Sequence, residues 1–142
     1  MLRQTILNQT IKFGDLATKS TYVFDLREFM LGAPVELVHE AGALIWEKLR
    51  DLDVKVIYGV GIGSMILLHA VRVAAAAEGR QLIALFCRDE RKPRGLRKLV
   101  EGPVPADVPD GAGAVFIDDA INSGNTQRRA LEMLEYEAPP LP

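Results

Sequence analysis

The chain has 142 residues, of which 49% are hydrophobic and 25% are charged, and its formal net charge is -2. This length and composition argue against a disordered chain and predict a single domain over residues 1–142 with one sizeable core. The near-neutral charge argues against a strongly basic surface that binds nucleic acid or an anionic membrane.

The compartment is predicted to be the cytoplasm. The single cysteine, Cys87, cannot form an internal disulfide, which favours a reducing environment. Residues 1–15 lack the apolar segment of a secretory leader. The most apolar stretch, residues 56–71, is interrupted by three glycines and is shorter and more polar than a membrane span.

Helices and short apolar runs alternate in the first half of the chain. Apolar residues at three- and four-residue steps predict a helix near 34–52. Residues 54–58 are β-rich and predict a strand that ends at a glycine-containing turn. An alanine-rich helix is predicted over 65–78, and a second buried strand over 82–87.

The second half continues the alternation after a charged segment. Residues 88–102 are dense in charge and predict an exposed loop or hairpin, and a Pro/Gly/Asp linker follows over 103–113. A third strand is predicted over 114–117 and a third helix over 127–135. The whole pattern predicts an α/β protein with a mostly parallel sheet, whose ligands bind beyond the carboxyl ends of its strands.

Two adjacent acids end the third predicted strand, and small polar residues follow. A helix start binds phosphate through its unpaired N–H groups and dipole, the hydroxyls of Ser123 and Thr126 can donate to it, and Gly124 allows close approach. Helix capping by Ser or Thr is the alternative, but it does not explain Asp118 and Asp119. Carboxylates suit vicinal sugar hydroxyls or a ligand-bound divalent cation, so the segment predicts a sugar-phosphate site.

Two further segments lie after predicted strands. GVGIGS at 59–64 carries alternating glycines that permit close ligand approach, or that merely form a tight strand-to-helix turn. It lacks the spacing of a dinucleotide fingerprint. Residues 88–98 predict a basic lid over a polyanion, with a solvated surface hairpin as the alternative; their basic residues are Arg88, Arg91, Lys92, Arg94, Arg97 and Lys98.

Together these segments resemble the type I phosphoribosyltransferase family. VFIDDAINSGNT at 115–126 is similar to the family signature for the ribose 5-phosphate of phosphoribosyl pyrophosphate (PRPP), which is an apolar strand, two acids and a Thr/Ser-Gly-x-Thr cradle. The orotate phosphoribosyltransferases are closest. Their FGxFxLKS, YYxDLR, pyrophosphate-loop and lid stretches resemble IKFGDLATKS at 11–20, TYVFDLREF at 21–29, YGVGIGSMILL at 58–68 and RDERKPRG at 88–95.

The resemblance implies a fold, a reaction and partners. The implied fold is a three-layer α/β sheet, mostly parallel, with helices on both faces and one antiparallel strand from the lid hairpin. The implied reaction transfers ribose 5-phosphate from PRPP to a nucleobase, orotate above all, in pyrimidine nucleotide biosynthesis, and releases pyrophosphate. Mg²⁺ is implied on the ligand's pyrophosphate rather than in a protein metal site, and the implied assembly is a homodimer whose lids close over the neighbouring site.

The resemblance also implies roles for single residues. Asp118 and Asp119 would hold the ribose hydroxyls, and Lys92 would be the lid residue most important for catalysis. Lys19 and Arg88 would contact the pyrophosphate. The two loops complete the implied PRPP-binding set, with Gly59, Val60, Gly61, Ile62, Gly63 and Ser64 along the pyrophosphate and Ala120, Ile121, Asn122, Ser123, Gly124, Asn125 and Thr126 around the 5-phosphate.

The chain departs from the family pattern at several places. Asp89 and Arg94 stand where the orotate enzymes have a lysine and a histidine, and the turn between Lys19 and Tyr22 is short. The family continues beyond the last predicted helix with further strands. The strand at 114–117 is therefore expected at an open sheet edge, completed by a dimer mate, an exchanged segment or another chain, unless the product is a shortened remnant of low stability.

Three hypotheses follow. The first is an active phosphoribosyltransferase, which the double acid, Lys19, Arg88 and Lys92 favour. The second is a non-catalytic regulatory protein that binds PRPP or a nucleotide, which Asp89, Arg94 and the early end favour. The third is a generic nucleotide-binding α/β domain, in which the resemblance would be misleading.

Overall fold

The computed structural model describes residues 11–13, 22–24, 26–88, 98–103, 113–120 and 123–137. Two three-residue strands, β1 (Ile11–Phe13) and β2 (Tyr22–Phe24), pair in antiparallel fashion. The other described elements are, in chain order, α1 (Arg27–Gly32), α2 (Val35–Leu49), β3 (Val54–Val60), α3 (Gly61–Ala77), β4 (Ile83–Cys87), β5 (Val100–Glu101), β6 (Gly113–Phe116) and α4 (Asn125–Glu137).

The last four strands form one sheet in the order β5-β4-β3-β6. Both β4 and β6 run parallel to β3, whereas β5 runs antiparallel to β4. The predicted α/β class, the mostly parallel sheet and the antiparallel strand after the charged segment are therefore confirmed. Among the described strands β6 has β3 as its single neighbour, so it lies at an edge of this sheet, as expected.

Helices cover both faces of the sheet, as predicted. On one face α1, α2 and α3 form a core in which Trp46 and Ile57 are almost fully buried. On the other face α4 packs Ala130, Met133 and Leu134 onto β3 and β4. Burial of these apolar side chains is the main stabilising contribution to the layered arrangement.

Strand β3 supplies both cores because its side chains alternate between the faces. Val56, Tyr58 and Val60 face α4, while Ile57 faces the other helices. Val54 joins the face of Ile57 despite the three-residue spacing, because the pairing with β6 shifts register between Val54 and Val56.

One buried phenol sits in the smaller core. The rings of Tyr58 and Phe116 meet edge to face, with centroids 5.4 Å apart. Burial raises the pKa of Tyr58, and the neighbouring Cys87 raises it further. Tyr58 therefore stays neutral well above physiological pH and acts as a packing residue.

Several boundaries differ from the sequence prediction. Helix α3 begins at Gly61 rather than Met65, so four of the six residues of the predicted glycine turn at 59–64 belong to the helix. The β1–β2 pair and α1 were not predicted, since segments of three to six residues are too short to show a period.

Candidate functional site

The carboxyl ends of three parallel strands lie side by side. Val60 at the end of β3 pairs with Cys87 at the end of β4, and Tyr58 pairs with Phe116. The backbone N–H of Ile117 still donates to the Tyr58 carbonyl at 2.8 Å. The three segments singled out by sequence, which follow these strands, therefore leave the sheet at one edge.

A cleft of about 280 Å³ opens at this edge. Its lining residues are Arg27, Val60, Gly61, Ile62, Gly63, Asp119 and Ala120. Six of these seven belong to the PRPP-binding set implied by the sequence, and they come from two different loops. The cleft thus joins the start of α3 to the residues that follow β6.

Asp119 lies directly against the first turn of α3. A Cβ atom placed on Gly63 would come within 2.5 Å of the Asp119 Oδ2 atom, so only glycine leaves room for this carboxylate. The N–H of Asp119 donates to Oδ1 of Asp118 at 2.9 Å. This bond gives one Asp118 carboxylate oxygen a backbone donor, which offsets part of the negative charge that the two adjacent acids bring to the loop.

The remaining residues of GVGIGS build the turn itself. Gly61 has a φ of +80°, a conformation that side-chain-bearing residues rarely adopt. Ser64 is fully buried, and its hydroxyl donates to the Gly61 carbonyl at 3.0 Å. A Cβ atom on Gly59 would come within 2.6 Å of the Cβ atom of Ser64. Gly59 and the Ser64 side chain therefore support the loop from beneath, while Gly61, Ile62 and Gly63 line the cleft.

The second predicted cradle lies at the start of α4. Gly124 has a φ of +80°, and its carbonyl accepts the N–H of Arg128 at 3.1 Å, so Gly124 occupies the cap position. Ser123, Asn125 and Thr126 are exposed around it. The leading N–H groups of α4 can therefore meet an anion from solvent.

Arg88 follows β4 and forms a partly exposed ion pair with Glu101. Its Nε and Nη2 atoms approach Oε1 of Glu101 at 2.9 Å and 2.8 Å. Its backbone N–H donates to the Leu99 carbonyl at 2.8 Å. In an antiparallel pair, a residue also reaches the diagonal neighbour on the opposite strand, which places Glu101 beside Arg88. The pair fixes this guanidinium at the base of the β4–β5 hairpin.

Several predicted site residues lie outside the described residues, so their placement is not part of this site. They are Lys19, Lys92, Ile121 and Asn122, and the two departures in the lid segment, Asp89 and Arg94, also lie outside. Conversely, Arg27 lines the cleft but was not among the predicted site residues. Arg27 belongs to TYVFDLREF at 21–29, which resembles the YYxDLR stretch of the orotate phosphoribosyltransferases. That resemblance could have pointed to the arginine, but it was given no role.

Metal-ligand clusters and membrane-spanning helices are absent from the described part of the chain. It contains no group of three or more His, Cys, Asp or Glu side chains that could hold a metal ion. None of its described helices combines the length and apolar character needed to cross a lipid bilayer.

Comparison with solved structures defines the class of fold. The chain matches Mycobacterium tuberculosis orotate phosphoribosyltransferase bound to Fe(III) dicitrate with a TM-score of 0.73 at 21% identity, over 96% of this chain and 75% of that one. The PRPP complex of the same enzyme gives 0.71 at 22% identity, over 96% and 74%. Adenine phosphoribosyltransferase from Thermoanaerobacter pseudethanolicus gives 0.62 at 14% identity, over 96% and 81%. The fold is that of a phosphoribosyltransferase.

Curated relatives narrow the class. Orotate phosphoribosyltransferase from Streptomyces avermitilis is 30% identical over 136 residues, which cover 92% of this chain and 71% of the relative. The enzyme from Nostoc sp. is 32% identical over 101 residues, which cover 68% and 48%. The chain belongs to the orotate phosphoribosyltransferase family. No protein-family model matches it, and it spans only about half of the Nostoc and Tropheryma whipplei relatives.

Proposed function

We propose that the protein transfers ribose 5-phosphate from PRPP to a nucleobase, with orotate as the principal candidate, and releases pyrophosphate. The observation that carries this proposal is the cleft at the carboxyl edge of the sheet, where Asp119 lies against the first turn of α3 in a chain of this family. The carboxylate offers acceptors for sugar hydroxyls. The helix start beside it offers N–H donors for phosphate oxygens.

The reaction needs opposite charges at the two ends of the breaking bond. Positive charge develops on the ribose, and negative charge develops on the leaving pyrophosphate. Asp118 and Asp119 would accept hydrogen bonds from the ribose hydroxyls and place negative charge beside the developing cation. The start of α3, together with Lys19, Arg88 and Lys92, would stabilise the leaving group, because groups aimed at developing charge lower the barrier.

The residues from Ala120 to Thr126 would hold the 5-phosphate. The exposed start of α4 supports this assignment, since its leading N–H groups suit an anion. With the phosphate bound there and the hydroxyls at Asp118 and Asp119, the ribose would be fixed from two sides. Fixing it in this way lowers the entropic cost of bringing the base nitrogen to the reacting carbon.

Mg²⁺ fits this site as an ion carried by the ligand. It usually binds through one or two carboxylates together with substrate phosphates and water. The cleft presents the Asp119 carboxylate, and Asp118 precedes it, so these two residues could contact an ion held mainly by the pyrophosphate. Such an ion would neutralise charge on the leaving group.

The direct test is turnover. The chain is mixed with PRPP, Mg²⁺ and a panel of nucleobases, and pyrophosphate release is followed together with formation of the nucleoside monophosphate. Release that depends on orotate supports the proposal, whereas release with a different base alone would correct the substrate. No release with any base would contradict the enzymatic proposal.

A protein that binds PRPP without turnover is the second candidate. Two observations favour it: the guanidinium of Arg88 is already paired with Glu101, and Asp89 and Arg94 replace a lysine and a histidine of the orotate enzymes in the lid segment. Calorimetric binding of PRPP without pyrophosphate release would support this candidate. Absence of binding would contradict both.

We also propose a homodimer in the cytoplasm. The outer edge of β6 has no neighbouring strand among the described residues, and a further strand would add there. Cys87, the single cysteine of the chain, is buried and forms no internal disulfide, which suits a reducing compartment. Sedimentation of the purified chain tests the assembly, and a monomer at micromolar concentration would contradict it.

A further inference from the structure

A second charged residue lies on the wall of the cleft and has no role in the scheme above. Arg27 is the first residue of α1, and it lines the cleft together with Gly61, Gly63 and Asp119. It comes from a segment remote in sequence from both loops of the predicted site. The fold therefore brings a basic side chain to a cleft whose other lining side chains are apolar or acidic.

The position of Arg27 is fixed from below. Phe29 and Met30, which follow it on α1, are buried in the larger core against α3. The N–H of Met30 donates to the Leu26 carbonyl at 3.0 Å, which closes the first turn of α1. Arg27 itself is exposed. The backbone at Arg27 is thus anchored beside the start of α3, and its exposed side chain lies on the wall of the cleft.

A cation at this wall of the cleft would offset the repulsion between Asp119 and a bound pyrophosphate. Apart from Arg27, the described lining of the cleft offers a pyrophosphate at the start of α3 the partial positive charge of a helix terminus and, close by, the full negative charge of Asp119. Among the described lining residues Arg27 is the basic one, so it is the side chain that can offset that repulsion. Its planar guanidinium also matches the paired oxygens of a phosphate group.

We propose that Arg27 binds the pyrophosphate group of PRPP and holds it against the first turn of α3. This inference rests on the proposed function, because it names a residue of the same site. It adds a contact that does not depend on the lid. Because Arg27 belongs to α1 and lines the cleft, this contact would not require Arg88 to leave Glu101.

The test measures binding of three probes to the full chain by calorimetry, in the presence of Mg²⁺. The probes are inorganic pyrophosphate, PRPP and ribose 5-phosphate. Arg27→Gln should weaken pyrophosphate and PRPP binding about tenfold or more, which is the range for losing a charge-assisted hydrogen bond, and should leave ribose 5-phosphate unchanged. Arg27→Lys keeps the charge but not the planar guanidinium, so its affinity for pyrophosphate and PRPP should lie between those of the parent and of Arg27→Gln.

The matched control is Arg50→Gln. Arg50 is an exposed arginine that follows α2 and faces Glu78 at 3.7 Å, and both residues lie at the end of the helices remote from the cleft. Its removal changes the net charge equally and should leave all three affinities unchanged. Equal loss in both variants would reduce the effect to net charge and overturn the assignment.

The outcomes separate this inference from the function on which it rests. If the parent protein binds PRPP and Arg27→Gln binds pyrophosphate as tightly as the parent does, the inference alone is overturned. Loss of ribose 5-phosphate binding in Arg27→Gln, with pyrophosphate unchanged, would place Arg27 at the sugar phosphate and overturn it too. Parent protein that binds none of the probes overturns both the inference and the proposed function.

Discussion

At the scale of single residues, the site depends on the absence of a side chain at Gly63. The Asp119 carboxylate occupies the space that a Cβ atom on Gly63 would need, at 2.5 Å from Oδ2. Both residues belong to the site predicted from the sequence. Their contact could not be predicted, because it depends on how β6 and α3 meet in space. The position of one acid in the cleft is thus decided by a residue more than fifty positions away.

Gly63→Ala should therefore weaken PRPP binding without unfolding the protein. The new methyl group must displace the Asp119 carboxylate, while alanine in a helix gains about 0.5–1 kcal/mol over glycine. We expect at least about a tenfold loss of affinity by calorimetry, the range for a charged hydrogen bond, with an unchanged or raised thermal midpoint.

A double-mutant cycle checks the cause. In an Asp119→Ala background the carboxylate is gone, so adding Gly63→Ala should cost little further affinity. If the two losses add in full, the methyl group acts on the site by another route.

The ion pair between Arg88 and Glu101 allows a second prediction at this scale. If the Glu101 carboxylate competes with the ligand for the guanidinium, Glu101→Gln should strengthen pyrophosphate binding. The pair is partly exposed, so the gain should be modest, about two- to fivefold, as for partly screened charges.

Glu78→Gln serves as the control for this variant. Glu78 faces Arg50 at 3.7 Å, at the end of α3 remote from the cleft, so the same loss of charge should leave affinity unchanged. Weaker binding in Glu101→Gln would show instead that Glu101 orients Arg88 for the ligand.

At the scale of elements, the two long helices α2 and α3 meet at a glycine. A Cβ atom on Gly42 would come within 2.5 Å of the backbone carbon of Ala70. Backbone atoms cannot rotate away as a side chain can, so the helices would have to separate. This contact sets the spacing between α2 and α3, the helix whose first turn lines the cleft.

Gly42→Ala should destabilise the protein by about 1–3 kcal/mol, the usual cost of overpacking a core. Gly32→Ala is the matched control, because nothing lies within 4 Å of its added Cβ atom. That control should stay within about 1 kcal/mol of the parent. Urea unfolding followed by the fluorescence of Trp46, the single tryptophan and a buried one, measures both. Equal stability of the two variants would contradict the close packing.

The elements also show which parts of the fold the sequence could predict. Strands β3 and β4 and helices α2 and α3 were predicted because long apolar runs and helical periods mark them. The start of α3 was misplaced by four residues, because glycines at 59–63 were taken for a turn that the helix in part contains. Strands of three residues and a helix of six carry too little pattern, so they become visible only through pairing and packing.

At the scale of the whole molecule, the parallel sheet creates the site. Where β3, β4 and β6 end together, the start of α3 meets Asp119, and Arg88 follows the neighbouring strand β4. The sequence predicted this edge from the order of strands and helices and from the resemblance of its motifs. It did not predict the inclusion of Arg27 or the burial of Ser64, because both depend on contacts between elements distant in the chain.

The central claim is that the cleft beside Asp118 and Asp119 binds PRPP. Calorimetric titration of PRPP with Mg²⁺ into the parent chain and into the Asp118→Asn, Asp119→Asn double variant tests it most directly. We predict binding to the parent and at least about a tenfold loss in the variant, because amides lose the charge that strengthens bonds from ribose hydroxyls. Unfolding midpoints within a few degrees would confirm that both proteins are folded, and equal affinity in the two would contradict the claim.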